Sequence, residues 1–528
     1  MRKSKSNLIN ILVWLNVTLF VLSLSIITPV TAQEQCGIAD SISYPVDTNQ
    51  FQLVQNFGVA SPRHQGRFHT GEDWRILTTE AQGFPIRAAA TGRVTYSAPT
   101  GWGRDGGVII IEHTFEDGTI VYSQYGHITE NDTTPFPDRF SCVQSGDIIA
   151  VIGDARPAPH VHFEIRTNQP DTPGPGYTRE NPLDLGWLRP MQFILNQQAW
   201  LNPAHEWHVL NDVYTPDLQP LVLNDNSMLV LDGDLLRGIT NDGRVLWRTQ
   251  NSNPAISVNG YRANPYVTYT NGQITQVSFE GSPVSTSQLD FTPDSPPFEV
   301  VNSLVYHTTD NALVALNEDR SEILWRLDDI PDIVRVQVGT NLIGLVTIDN
   351  RILFVTHQGV LVNSAVLRDG ASMSIANDGR LIVYSQGGLW YVDSNAEWSL
   401  VFPDIDLPTG GHNSAVIQTG DGAIYVTDGT VFNAYDATGA LQWDVTLPQR
   451  IDGKIYLDSY GGGLLLTSNH GNIMVIRASG GICGFMRVYG NNFANVWHNL
   501  GTDNTLRVAI GDQIIGIDWA RFAGSCAE

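Results

Sequence analysis

Basic residues are scarce in this chain. Lysine and arginine together number 30 against 54 aspartates and glutamates, a net charge of -24. Phosphate backbones are held by a basic face, so this balance argues against nucleic-acid binding. No basic run suggests docking on an anionic polymer. Long apolar runs are equally rare: after Val30 no stretch approaches the ~20 apolar residues of a membrane-spanning helix. Sustained helical periodicity is missing between Cys36 and Arg166. Cysteines number four. None belongs to the chain's clusters of histidine and carboxylate, which argues against a structural zinc site.

The start of the chain carries a different signal. Arg2, Lys3 and Lys5 precede a largely apolar run from Leu8 to Val30, and Val30-Thr31-Ala32 offers small residues for cleavage. Residues 1–32 read as a secretory signal peptide. An uncleaved membrane anchor is the alternative, and Asn10 and Asn16 weigh against it because buried amides are costly in lipid. Export permits disulfides. Pairing within each region joins Cys36 to Cys142 and Cys483 to Cys526, against the alternative of free buried thiols.

In Pro159-His160-Val161-His162-Phe163-Glu164-Ile165 ionisable and apolar residues alternate. The period is two, so a strand is expected with one apolar and one ionisable face. Upstream stands His69-Thr70-Gly71-Glu72-Asp73, whose His69 and Asp73 share a face. With one histidine of the later pair they make two imidazoles and a carboxylate. Three protein ligands with an open fourth position is the pattern of a catalytic zinc.

These residues belong to a longer ordered series: Phe57-Gly58, Phe68 to Asp73, Ala88-Ala89-Ala90-Thr91-Gly92-Arg93-Val94, Gly101-Trp102-Gly103, Tyr125-Gly126-His127-Ile128, Gly146 to Gly153, Pro159 to Ile165 and Asn181-Pro182. The series resembles the lysostaphin/LytM-type zinc metallopeptidases, which cut peptide bonds of bacterial peptidoglycan. The likeness runs from about Tyr44 to about Asp184. It implies Zn2+ held by His69, Asp73 and His162, with His127 and His160 as catalytic histidines that do not bind the metal. It departs from many members at Ala158-Pro159, where they have Gly-Pro. By the same likeness the open zinc position holds a water, and the two histidines handle protons and the oxyanion. Glu164 is expected beside the ligands or at the surface rather than as a base.

Short apolar runs such as Val108 to Ile111, Thr119 to Tyr122 and Ile148 to Ile152 are expected strands, and Glu116-Asp117-Gly118 a hairpin turn. The domain is expected to be antiparallel β, with the site in a groove on one sheet face. Thr167 to Pro190, rich in Pro, Gly and Asp, reads as a domain exit and linker. One short helix is expected around Met191 to Gln198.

From about Glu206 a unit repeats: an apolar strand, a polar turn, then a strand that often carries Trp. The turns stand at Asn241-Asp242-Gly243, Glu280-Gly281, Glu318-Asp319-Arg320, Gln358-Gly359, Ser394-Asn395, Thr438-Gly439, Ser479-Gly480 and Ala523-Gly524, 36 to 44 residues apart. That period is a four-stranded propeller blade. The phrases ending in Trp247 and Trp443 resemble quinoprotein-like and WD-like repeats. The Trp residues are read as blade packing, and His412 and His470 as ordinary histidines.

The fold expected is all-β. An antiparallel peptidase domain (33–190) is followed by a linker (191–205) and a seven- or eight-bladed β-propeller (206–528). The function expected is a secreted bacterial zinc endopeptidase of the cell envelope, acting on peptidoglycan peptides. The propeller would bind a protein or wall ligand, with no nucleic acid and no membrane span beyond the signal segment. The alternative is an inactive relative that binds the wall or regulates another hydrolase. All five site positions being filled favours the enzyme.

Overall fold

The computed structural model describes residues 36–77, 81–102, 106–211, 218–251, 253–261, 264–367, 370–385, 388–402, 413–451, 453–461, 463–490 and 495–524. The expected signal segment, His412 and Cys526 lie outside the described residues. No helix among the described residues is long and apolar enough to cross a membrane. The chain divides into two compact units, residues 1–197 and 198–528.

The first unit is built from β1 (Gln52–Gln55), β2 (Ala60–Ser61), β3 (Arg67–His69), β4 (Glu72–Arg75), β5 (Pro85–Arg87), β6 (Gly92–Ala98), β7 (Gly107–Thr114), β8 (Ile120–Thr129), β9 (Cys142–Val143), β10 (Ile148–Ile152), β11 (Val161–Arg166), β12 (Tyr177–Thr178) and β13 (Trp187–Leu188). Ten of these form one antiparallel sheet whose central order is β1-β4-β11-β8-β7-β6-β9; a second, three-stranded sheet has the order β12-β3-β2. The apolar runs dictate this. Ile109 and Ile111 of β7, Val121 and Tyr125 of β8, and Val161, Phe163 and Ile165 of β11 turn the same way at period two and fill one core. The hairpin turn at Glu116-Asp117-Gly118 forms as expected: the Gly118 amide bonds Phe115 O, and Asp117 accepts from the Thr119 amide.

Cys36 and Cys142 are joined, closing a sequence separation of 106 residues. A loop of that size is worth about 4–5 kcal/mol in the chain-entropy picture. The proline-rich stretch 167–190 is not an exit from the domain. It supplies β12, which pairs with β3, and β13, which pairs with β11. A helix, α1, follows over Pro190–Trp200. Its Ile194 is fully buried in the first unit's core, and its Met191 amide bonds the Glu72 carboxylate.

The second unit is an eight-bladed propeller: its described strands form eight four-stranded antiparallel sheets. Seven blades are sequential and occupy 221–250, 255–288, 298–327, 333–366, 372–400, 415–446 and 455–487. The eighth takes its inner three strands from Val496–Leu500, Thr505–Ile510 and Gln513–Asp518, and its outer strand from far upstream, β14 (His205–Leu210). Each of the eight neighbouring pairs of blades shares an apolar cluster. In the cluster between the last and first blades, Val209, Ala509 and Ile514 meet Met228, Val230 and Ile239. The ring therefore closes by packing. The expected eighth turn at Ala523-Gly524 is not a blade turn, because the outer strand has already been supplied by β14. The chain instead ends its described part in a short helix, α2 (Trp519–Gly524), with Trp519 and Phe522 buried.

The tryptophans do pack blades. Trp207, Trp247, Trp325 and Trp443 sit on outer strands, opposite Gly516, Gly238, Ala315 and Ala434 of the neighbouring strand. A Cβ on Gly238 or Gly516 would stand within 2.3 Å of the ring. Each ring then reaches the turn of the next blade, covering Gly243, Gly281, Gly359 and Gly480. Those glycines have positive φ, and the rings leave no room for a side chain there. Four blades keep this arrangement; blade 4, with Asn363 opposite Phe354, and blade 2 do not. The outer strand of blade 2 has Ser285, opposite the larger Gln276. The next turn then carries Arg320 in place of glycine, at φ 60. Its buried guanidinium lies 3.8 Å over the Tyr266 ring. We read Arg320 as filling the space a tryptophan occupies elsewhere.

Candidate metal centre and catalytic groove

Sheet register assembles the site. His162 of β11 pairs with Asp73 of β4 on one side and with Gly126 of β8 on the other. Asp73, His162 and the neighbour of His127 thus form one row across the sheet. His69 arrives from the second sheet, on β3. The turn from His69 to Asp73 runs so close to β11 that a Cβ on Gly71 would stand 2.5 Å from Phe163 O. Glycine is required there for close approach, not for a special φ.

His69 Nε2, His162 Nδ1 and Asp73 Oδ1 lie 3.0 to 3.2 Å from one another. All three residues are buried. The far ring nitrogens are occupied: His69 Nδ1 is 3.1 Å from Asn56 O, and His162 Nε2 is 2.9 Å from Glu164 Oε1. A carbonyl and a carboxylate only accept, so both far nitrogens donate. The near nitrogens then aim lone pairs and a carboxylate at one point. Ligands about 2.1 Å from a tetrahedral zinc lie about 3.4 Å apart, close to the spacing found. The donor set fits zinc.

Burial would lower the His162 imidazole, but its hydrogen bonds to Asp73 and Glu164 prevail and lift it to about 9. Burial likewise opposes ionisation of Asp73, yet the hydrogen bonds from His162 and His69 hold its carboxyl well below the usual range.

Glu164 anchors the arrangement. It is fully buried, and its carboxylate accepts from Thr70 Oγ1 (2.6 Å), His162 Nε2 (2.9 Å), Trp187 Nε1 (2.9 Å) and Arg166 Nη1 (3.3 Å). Burial pushes this carboxyl up, but His162 and Arg166 outweigh it and keep the group ionised. The expected ionisable face of β11 exists, and it is buried.

His160 and His127 stand at the edge of the triad with ring centroids 4.6 Å apart. His160 Nδ1 donates to Ala158 O at 2.8 Å, which leaves its Nε2 facing the site, 3.6 Å from Asp73 Oδ2. The loop residue that departs from Gly-Pro thus orients a site histidine through its backbone. His127 holds a positive φ of 60, sparsely populated for a residue with a side chain. Trp102 lies 5.0 Å from both His127 and His162, and its indole donates to Gly174 O. A groove of about 730 Å³ runs past these groups; Gln55, Arg63, His64, Arg156 and Tyr177 also line it. The Tyr177 ring stacks on His64 at 3.7 Å and stands 5.0 Å from His69.

All five residues singled out in the sequence are therefore brought together. Tyr177 and Trp187 were hidden in the supposed linker. Their signal was two aromatic residues in a stretch otherwise of turn formers. A second cluster brings Asp294 and Asp332, from the segments before and after blade 3, to His307 of that blade. Its two carboxylates are exposed, and His307 is tied to Asp294 at 2.8 Å and to Ile330 O at 2.9 Å, an ion pair that pins the strand.

Among solved structures, BamB from Moraxella catarrhalis is similar over 59% of this chain and 98% of its own, at 12% identity and a TM-score of 0.44. Sqt1 from Saccharomyces cerevisiae gives the same coverage, identity and score. The computationally designed Ika8 protein matches 58% of this chain and 96% of its own, at 11% identity and a TM-score of 0.43. No curated protein matches. The model of peptidase family M23 matches residues 67–173, so this part of the chain is an M23 peptidase domain of the LytM type.

Proposed function

We propose that the chain is an exported zinc-dependent endopeptidase that hydrolyses peptide bonds of bacterial peptidoglycan, with the propeller as its binding or placement module. The observation that carries this reading is the convergence of three ligand atoms, from His69, Asp73 and His162, beside two further imidazoles in one groove. Zinc held there would supply Lewis acidity to the scissile carbonyl and to water. The protein's own part follows from position. Glu164 and Asn56 fix which nitrogen of each ligand imidazole is free. His160, oriented by Ala158 O, and His127 are placed to take a proton from the attacking water and return one to the leaving amine. Trp102 covers one wall and limits water. The M23 match and the Cys36–Cys142 disulfide support export to the envelope.

The test is digestion of purified sacculi by the zinc-loaded chain, followed by muropeptide analysis. New free amines in the stem peptides are expected, and their loss on chelation. Zinc-replete protein that binds no metal and releases no peptide would favour the inactive, wall-binding relative.

A further inference from the structure

The groove has the opposite charge balance to the chain. Arg63 and Arg156 line it, and among the described residues Asp73 is its one carboxylate. That carboxylate belongs to the metal ligand set, so it is spent on the cation. Both arginines are exposed, and neither has an ion-pair partner among the described residues. They come from different segments of the chain. Arg63 is in a 3-10 turn, Pro62–His64, before β3, beside the His64 that stacks on Tyr177. Arg156 is in the loop that leads into His160. In a chain with 30 basic against 54 acidic residues, two unpaired guanidinium groups facing one groove call for an anionic occupant. Guanidinium recognises carboxylate in a planar, two-bond geometry.

We propose that Arg63 and Arg156 are specificity-determining residues that receive free carboxylates flanking the scissile amide. The substrate class is then an anionic peptide rather than a neutral one. This rests on the hydrolase reading above and deepens it.

The experiment compares two preparations with the full zinc-loaded chain: sacculi whose peptide carboxylates are free, and the same sacculi amidated with carbodiimide and ammonia. Co-sedimentation of the protein with each is measured alongside peptide release. Faster release from the free-acid form by tenfold or more is expected. Arg63→Gln and Arg156→Gln should each erase much of that preference while still cutting amidated sacculi, and Arg→Lys should restore part of it. The preference should shrink as salt rises. Equal cutting of both forms by the wild type overturns the proposal and leaves the hydrolase reading standing. If neither form is cut, the hydrolase reading fails and binding decides: arginine-dependent retention on free-acid sacculi upholds the carboxylate site, and equal retention on both sinks it.

Discussion

Four donors meet at the Glu164 carboxylate, and one is the His162 nitrogen turned away from the metal position. Glu164→Gln presents an amide to some of those donors and loosens the tautomer it imposes. Zinc affinity should fall about 10- to 100-fold, read by chelator competition; unchanged affinity would show that the ring is held by other means. His162→Ala should lose metal and activity together, whereas His160→Ala should lose activity and keep zinc. Equal metal loss in both variants would reverse the roles given to them. Gly126→Ala places a Cβ 2.2 Å from the Trp102 ring, so the indole must move. Peptide release should drop with the thermal midpoint little changed, and an unaltered rate would remove Trp102 from the groove's machinery. His69, Asp73, His127, His160 and His162 were legible because spacing and motif order survive in sequence. Trp187, Arg166 and Tyr177 were not, because which donor satisfies a buried carboxylate depends on how a loop folds back, and turn-forming residues look alike in a linker and in a pocket wall.

At the scale of strands, the propeller was legible because its turns recur with the chain, and each glycine keeps its meaning. Blade 2 was legible from its Glu280-Gly281 turn even though it exchanges three residues of the Trp-and-glycine arrangement. Arg320→Gly should empty the slot over Tyr266 and cost about 1–3 kcal/mol. Gln276→Ala with Ser285→Trp and Arg320→Gly introduces the pattern of the four tryptophan blades and should recover most of that loss in chemical denaturation. Additive losses would mean that Arg320 serves another purpose. The closing strand β14 carries its own sensitivity. Burial lowers His205 and His208 to about 4. Both are then neutral in the folded ring, and the unfolded chain takes up protons first, near pH 6.5. Their contribution is full above that value and is lost as pH falls from about 6.5 to about 4. Thermal midpoints should therefore fall over that window, and His205→Gln with His208→Gln should flatten the fall. A variant profile parallel to the wild type would exclude these two groups. The eighth turn misled for the same reason β14 matters: a ring sewn shut by its first strand has no turn before its last.

For the whole molecule, residues 33–197 should fold and bind zinc alone, while a piece ending at 190 should be less stable. The shorter piece removes Ile194 from the core and the Met191 amide from Glu72. Equal thermal midpoints for the two would show that α1 is dispensable. Cys483 is expected to pair with Cys526, tying down the chain's end in a loop worth roughly 4 kcal/mol; non-reducing peptide mapping that finds Cys526 free, or joined to Cys36 or Cys142, would refute it. The overall division was legible from the change in repeat pattern near Glu206, but the blade count was not, because it depends on a strand donated across the whole ring. That donation also sets a clock. β14 leaves the ribosome first and its partner, Gln513–Asp518, last; with roughly 300 residues between them and synthesis at about 5–20 residues per second, the strand waits some 15 to 60 seconds with its edges unpaired. A chain cut short in that interval is left with an open ring and a bare strand, so closure of the propeller reports that synthesis has passed Asp518.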